Sequence, residues 1–392
     1  MFDAAARQAA AGDEVAFFGM EHPANEPMPY RRSFPSQVAF EPAPPSVAGK
    51  LEAFGRMLWS SSAARGIGEV VDRFEPDVAH LHNVYHQLSP SILATLARQG
   101  VPIVMTLHDY KLVCPTYRLL DHGELCETCI PRRFWNPIVR RCQAGSLAAS
   151  TAAAVELSVH TLTGAYGRVA RFVCPSRFLQ EKMRAGRVYP SRLRWLPNFV
   201  DLARWTAKRS PGLGVVYAGR LSPEKGVDIL LRAVALLPKA TLQVVGDGPS
   251  RPTLEELSVR LGIADRVTFR GRLGASELAN VLAGGAVAAV PSRWHENQPL
   301  AVLEAFACGL PVVTTNLGGL PELVEPGVDG ALVPADDPAA LAAALGPLVG
   351  DPRLAVRMGA AGRAKVERRH SPERHLDRLR AIYAEARTGV SA

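Results

Sequence analysis

Two glutamates carry the first chemical signal in this 392-residue sequence: Glu296 and Glu304, spaced Glu-x7-Glu within PSRWHENQPLAVLEAFACGLPVV, Pro291 to Val313. The apolar run before them places Glu296 in a strand-to-helix loop. Pro299 suits the first position of the following helix, because its missing N–H would be unpaired there anyway. One carboxylate then stands at the helix mouth and the other about a turn and a half deeper, both facing one crevice. Between them, the open N–H groups of Gln298, Pro299's neighbour Leu300 and Ala301, together with the positive helix end, make an anion site. Paired carboxylates are also the equipment of glycoside hydrolases, so the nearby cations decide the reading. Arg220 and Lys225 follow a short strand at Val215. Singly each is an ordinary loop cation; together at a strand end they can neutralise an anionic leaving group as its charge develops. His108, followed by Asp109, sits at the carboxyl end of another strand, where α/β sites form. His82 and His86 are weaker candidates for the same crevice.

These groups need a scaffold of alternating strands and helices, and the sequence supplies one. Short β-branched runs alternate with helical patterns, the mark of βαβ units and parallel sheets. Strands are expected near Val15–Phe18, Val78–His80, Ile103–Leu107, Phe172–Cys174 and Leu193–Leu196. A second set is expected near Val215–Ala218, Leu242–Val245, Val267–Phe269, Ala286–Val290 and Pro311–Thr315. The length suits two α/β domains. The proline-bearing stretch Pro197 to Pro211 reads as a hinge, giving a first domain over 1–196, a second over 197–371 and a last helix over 372–392. Pro23 to Pro45 reads as an exposed loop. The opening is unusual: FDAAARQAAAG is helical with Gly12 as its C-cap, and the strand that normally opens a doubly wound domain, with its ligand-facing turn, is not there. The expectation is that the recorded start lies inside the first helix and that the first sheet lacks a strand.

The Glu-x7-Glu segment, with Pro-Ser before it and ACGLPVV after it, resembles the retaining glycosyltransferases of the large family that includes sucrose and mannosyl transferases (group 1, family 4). The resemblance runs from Phe2 to about Ala386 and implies the two-domain GT-B fold, two Rossmann-like doubly wound domains facing a central cleft. VVYAGRLSPEKGVDILLRA matches the family's Gly-Arg-Leu-x-x-x-Lys-Gly segment, which implies that Gly219, Arg220 and Lys225 hold the donor diphosphate. LQVVGDGPSRP matches the loop after the next strand and adds Gly246 to the donor site. It also mimics a dinucleotide fingerprint, but Arg251 stands where the third glycine belongs, which argues against a nicotinamide site. EPDVAHLHN and VPIVMTLHDY match two cleft-facing strand ends, with His108 beside the transferred sugar. By the same resemblance Glu304 binds the ribose hydroxyls, Glu296 orients the donor sugar, and Asn297, Gln298, Pro299 and Leu300 complete the cradle. His108, Arg220, Lys225 and Glu296 are thus the expected catalytic group. The implied reaction is retaining transfer from a nucleotide-diphosphate sugar to a lipid-linked or polysaccharide acceptor in envelope or exopolysaccharide synthesis. The rivals are a truncated, catalytically impaired nucleotide-sugar-binding protein, and a phosphorylase or nucleotide-sugar epimerase of similar architecture. No cofactor is implied for catalysis.

Composition narrows partners and compartment. Hydrophobic residues make up 47% and charged residues 21% of the chain, ordinary globular values. The sequence has neither a run of eighteen apolar residues nor a secretory leader pattern, so a cytoplasmic protein is expected, peripheral at the inner membrane face. The net charge of +8 is uneven: between Ile130 and Arg194 twelve Lys and Arg residues meet only Glu156 and Glu181. That segment lacks interleaved aromatics and helix-turn-helix or zinc-finger spacing, which excludes nucleic acid and leaves an anionic membrane surface, a phosphorylated acceptor or a plain solvated basic face. Cys114, Cys126, Cys129 and Cys142, spaced C-x11-C-x2-C-x12-C, read either as a structural zinc site stapling an acceptor-side insertion or as four reduced thiols. A redox role is disfavoured, since the Cys126/Cys129 pair is not at a strand-to-helix turn.

Overall fold

The computed structural model describes residues 2–37, 46–205 and 212–389. The first domain runs α1 (Phe2–Ala10), α2 (Val47–Leu58), α3 (Ser61–Phe74), β1 (Ala79–His82), α4 (Ser91–Arg98) and β2 (Ile103–Thr106). A small hairpin β3 (Leu120–Asp121) and β4 (Glu124–Leu125) follows, then α5 (Asn136–Arg140), α6 (Leu147–Leu162), β5 (Arg171–Cys174), α7 (Arg177–Ala185) and β6 (Leu193–Trp195). The second domain begins β7 (Val215–Ala218), α8 (Val227–Ala235), β8 (Leu242–Val245), α9 (Arg251–Arg260), β9 (Val267–Gly271), α10 (Ala275–Gly284) and β10 (Val287–Val290). It continues α11 (Leu300–Ala307), β11 (Val312–Thr315), β12 (Gly330–Val333), α12 (Pro338–Gly350) and α13 (Pro352–Arg369), and α14 (Pro372–Thr388) ends the described chain.

Both large sheets are parallel. The first has the order β1-β2-β5-β6 and the second β12-β11-β10-β7-β8-β9. Strands β2, β10 and β11 are buried along their whole length, as expected where helices cover both faces and an uninterrupted apolar run replaces alternation. Side-chain caps start the helices that carry the layers: Ser60, Ser146, Ser176, Asp337, Asp351 and Ser371 each accept from a first-turn N–H. The C-terminal α14 leaves the second domain and packs Leu379, Ile382 and Ala386 against Val104, Val173 and Leu196 of the first sheet. Of the expected loop and hinge, residues 38–45 and 206–211 lie outside the described residues; Arg31–Ser33 before the gap forms a 3-10 turn.

Three expectations are corrected. Val15–Phe18 is not a strand: no described neighbour offers its backbone a ladder, so β propensity finds nothing to pair with. Gly330–Val333 is one, and the pattern hid it, being four residues opened by a glycine; a Cβ at Gly330 would lie 1.9 Å from the Val312 carbonyl oxygen, so close strand contact requires glycine there. Pro299 is the N-cap of α11 and not its first residue, with extended backbone at φ −69° and ψ 126°.

Candidate active site

The site lies where the carboxyl ends of both sheets face each other. Its walls are built by loops that glycine lets pack backbone on backbone. Gly246, at φ 131°, places its α-carbon where a Cβ would meet the Gly219 carbonyl at 1.9 Å; the Gly219 N–H in turn donates to the Val245 carbonyl. The turns after β7 and β8 are thereby locked together, which gives Gly246 a supporting part in the expected donor site. Gly318 and Gly319 press likewise on the Glu296 and Asn297 carbonyls, fixing the loop that presents both residues.

The geometry joins Lys225 to Glu296 directly. Lys225 comes from the turn before α8 and Glu296 from the loop before α11, 71 residues later, and their Nζ and Oε1 are 2.7 Å apart. Ser292 Oγ donates to the same oxygen at 2.6 Å. Glu296 is 5% exposed, so its charge is compensated by one ammonium and one hydroxyl instead of water. The Lys225 ammonium also lies 5.0 Å from the Trp294 ring centroid. Arg220 stands on the same turn, exposed, and among the described residues its side chain makes no ion pair or hydrogen bond; only its carbonyl is engaged, by Tyr217 Oη at 2.8 Å. Gly219 beside it is exposed too. An uncommitted guanidinium beside a committed ammonium is an arrangement that can take an anion from solution.

At the mouth of α11, the N–H groups of Asn297, Gln298 and Leu300 donate to no backbone carbonyl among the described residues, leaving the open helix end that an anion site needs. Asn297 and Gln298 bind across the cleft instead of into it. Asn297 Oδ1 accepts from Ser176 Oγ at 2.7 Å and its Nδ2 donates to the Leu107 carbonyl at 3.2 Å. Gln298 Oε1 accepts the Asn198 N–H, and Asn198 Nδ2 donates to the Gln298 carbonyl at 3.1 Å. Glu304 sits inside α11, half-buried, with its carboxyl pushed up to about 7 by burial first and then by Asp3 of α1. The N-terminus of α1 therefore approaches the second domain, and Asp3 confirms it with a 2.6 Å ion pair to Arg204.

The first domain contributes His108. It lines a small cavity of about 150 Å³ with Asp109, Tyr110, Asn198 and the 294–299 loop. Its Nε2 lies 2.8 Å from His82 Nδ1. His82 stacks against His80, whose two ring nitrogens are held by Tyr383 Oη at 2.8 Å and Thr106 Oγ1 at 2.7 Å. Loss of hydration is the main cause holding all three imidazoles low, His80 at about 3, His82 at about 2 and His108 at about 4, so each is neutral near pH 7. Burial raises Asp109 to about 6. His86 Nδ1 pairs with Glu156 at 3.1 Å, beside the buried Lys111–Glu156 pair at 2.7 Å.

Several site-building residues gave no sequence signal. Tyr110 Oη donates to the His295 carbonyl at 3.0 Å. Glu322 of the second domain caps α7 of the first, accepting the Arg177 and Phe178 N–H groups at 2.8 and 2.7 Å. A lone Tyr or Glu in a loop carries no pattern that would single it out. Among the described residues no group of three or more His, Cys, Asp or Glu is arranged to hold a metal ion, and the six cysteines form no disulfide. The thiols are neighbours nonetheless. Burial, with smaller contributions from Cys114, Cys126 and Cys142, raises Cys129 beyond the usual thiol range, and burial with an Asp121 hydrogen bond pushes Cys142 up to about 12.

The Glycosyltransferase Family 4 profile matches residues 1–204, and the profile described as Glycosyl transferases group 1 matches residues 212–351. The chain belongs to glycosyltransferase family 4. Among relatives of this family 4 chain, a GDP-mannose-dependent alpha-(1-6)-phosphatidylinositol monomannoside mannosyltransferase of Mycolicibacterium smegmatis is 34% identical over 263 residues, 59% of this chain and 68% of the relative. A D-inositol 3-phosphate glycosyltransferase of Streptomyces scabiei is 41% identical over 165 residues, 39% of this chain and only 37% of that protein's length. In fold, the family 4 chain is similar to a sucrose-phosphate synthase from Thermosynechococcus elongatus (TM-score 0.73, 22% identity, 98% of this chain and 91% of that one). It is also similar to HepE of Anabaena in complex with UDP-glucose (TM-score 0.62, 20% identity, 82% of each chain). The GT-B architecture read from the sequence is the observed one. No single described helix is long and apolar enough to cross a membrane.

Proposed function

We propose that the chain transfers a hexosyl group, with retention, from a nucleotide-diphosphate sugar to a lipid-linked or polysaccharide acceptor in cell-envelope or exopolysaccharide synthesis. The observation that carries this reading is the convergence of Lys225 on Glu296, with uncommitted Arg220 on the same turn and the open α11 mouth adjoining Glu296. The diphosphate would lie against Arg220, Lys225 and the helix end, where charge appearing on the leaving oxygen is met by groups already in place. Glu304 would accept the ribose hydroxyls, Glu296 the hydroxyls of the donor sugar, and His108 a further sugar hydroxyl. As the anomeric carbon–oxygen bond to phosphate breaks, the acceptor oxygen bonds the same face of that carbon, and its proton passes to the departing phosphate oxygen. Charge and atoms balance without a protein base or a metal.

The acceptor reading rests on the surface of the first domain. Trp135 and Val139, 58% and 77% exposed, stand among Arg132, Arg133, Arg140 and Arg141, with Leu147 half exposed on α6. Exposed apolar side chains set in cationic surface suit an anionic lipid interface, which fits a cytoplasmic protein working at the inner membrane face. The relative acting on a phosphatidylinositol mannoside favours the same class of acceptor. Turnover and thermal shift screened over UDP-, GDP- and ADP-sugars test the reading. A donor that stabilises the protein and is consumed only with acceptor supports it. A donor that binds without turnover supports the alternative of an impaired nucleotide-sugar-binding protein.

A further inference from the structure

A cationic corner without counter-charge lies where α14 returns to the first domain, beside β6 at the edge of the first sheet. Three arginines meet there around Trp195. The guanidinium carbon of Arg177 is 4.1 Å from the Trp195 ring centroid, and that of Arg378 is 5.0 Å from it. Arg374 precedes Arg378 by one helical turn on α14, the i,i+4 spacing that makes side chains neighbours. Arg378 is held below the usual guanidinium pKa, first by burial and then by the charges of Arg374 and Arg177.

Neighbouring arginines are neutralised, and these three are not. Arg171 and Arg194, on β5 and β6, share Glu385, and Arg380 and Arg387 of α14 pair with Asp13 and Asp77; among the described residues Arg177, Arg374 and Arg378 form no ion pair. Their side-chain hydrogen bonds go only to neutral carbonyls: Arg378 Nη2 donates to Trp195 at 2.8 Å and Arg374 Nη1 to Arg368. Glu322 has both carboxylate oxygens on the backbone N–H groups of Arg177 and Phe178, at 2.8 and 2.7 Å. The acids of the two helices near these arginines, Glu181, Glu373 and Asp377, are exposed and pair with none of them.

Contact with the indole offsets part of the repulsion between Arg177 and Arg378. It accounts neither for Arg374 nor for the Trp195 Nε1–H, which is buried and has no acceptor among the described residues. Buried indole N–H groups ordinarily have one. A donor without an acceptor and three cations without an anion, at one corner, have a single remedy: an oxyanion.

We propose that Arg177, Arg374, Arg378 and Trp195 form a binding site for a phosphate group. The several oxygens of a phosphate can accept from the guanidinium forks and the indole N–H together, where one carboxylate would serve a single fork. None of the four residues lines the cleft cavity between the domains, so the site is separate from the donor diphosphate and stands apart from the proposed transfer. It adjoins the same junction nonetheless: Ser176, next to Arg177, binds Asn297 at 2.7 Å, and Asn198, three residues after Trp195, binds Gln298 at 3.1 Å. The phosphate belongs either to a soluble phosphorylated molecule or to a phospholipid headgroup, two sources that the experiment tells apart.

The experiment follows Trp195 fluorescence, taken as the difference between the protein and Trp195→Phe, during titration with inorganic phosphate and with glycerol phosphate at an ionic strength held constant with chloride. Both ligands are expected to change the signal saturably. Arg177→Gln and Arg374→Gln, at exposed positions, should each weaken binding about tenfold, the loss of one charge-assisted contact, with thermal unfolding checking that both variants fold. Arg220→Gln, at the donor turn, should leave the Trp195 response unchanged. Flotation with vesicles of phosphatidylcholine alone, and of equal parts phosphatidylcholine and phosphatidylglycerol, identifies the source. Attraction to the anionic vesicles that depends on Arg177 and Arg374 assigns a headgroup; phosphate binding without it assigns a soluble ligand. The proposal is overturned by a Trp195 signal indifferent to phosphate, by an equal response to chloride, or by a response lost in Arg220→Gln and kept in Arg177→Gln. None of these readouts involves sugar transfer, so the outcome is separate from the fate of the proposed activity.

Discussion

Lys225→Met is expected to lower stability by about 2 kcal/mol and turnover by about 10²- to 10³-fold. The stability figure follows from the contact. The ammonium is 2.7 Å from Glu296 Oε1, with the two side chains 22% and 7% exposed. Breaking a fully buried pair costs about 3–5 kcal/mol and an exposed one about 0–1. This pair lies between, because water still reaches the lysine and Ser292 keeps its 2.6 Å hydrogen bond to the stranded carboxylate. For a domain of this size that is a fall in Tm of about 4–8 °C. The turnover figure is the usual worth of one preorganised donor to developing charge, about 2.7–4 kcal/mol. Denaturant unfolding and steady-state kinetics should be measured on Lys225→Met, Glu296→Gln and the double variant. Coupling in stability of about 1–2 kcal/mol is expected for groups in contact. Turnover retained in Lys225→Met despite the expected loss of stability would show a purely structural pair and refute the role given to the ammonium; stabilities additive to within about 0.5 kcal/mol would refute the contact.

Other outcomes can be checked alongside. Glu304 has its carboxyl raised to about 7, so the native state binds a proton that the unfolded state has released; its contribution to stability is complete below about pH 4.5 and is lost as pH rises through about 7. Donor affinity should move the other way, rising as the carboxylate forms to accept ribose hydroxyls, and Glu304→Gln should flatten both profiles in calorimetric titration and unfolding. The His80, His82 and His108 rings are depressed to between about 2 and 4, so protonation of the unfolded state destabilises the fold as pH falls from about 6.5, by at most about 1.4 kcal/mol per pH unit for each ring. An acid unfolding curve insensitive to His80→Asn would refute this. Glu322→Ala removes two N–H partners from the start of α7 across the domain interface and should cost about 1–2 kcal/mol in chemical unfolding, with Glu322→Asp recovering part of it. Metal analysis of protein purified without chelator should find zinc below one equivalent, given free thiols not set for coordination; one full equivalent lost in Cys126→Ser would show that the thiols close around metal.

What was legible in the sequence was whatever a single segment encodes. The runs at Val215, Leu242 and Val312 became strands because each is buried among helices and needs no partner-specific pattern to be seen. Glu296 and Lys225 were legible as members of local segments, and their 2.7 Å approach follows from neighbouring parallel strands, β7 and β10, delivering both loops to one sheet end. The failures share a different cause. Val15–Phe18 has the composition of a strand, yet a strand is a relation between two chains of backbone, and among the described residues none pairs with it. The pairing of His86 with Glu156, itself bound to Lys111, joins residues far apart in the chain that no local pattern links. Glu322 and Tyr110 matter only through carbonyls and N–H groups brought to them across the domain boundary. Local sequence therefore specified the pieces of this site, while tertiary partners decided which pieces stand in the cleft.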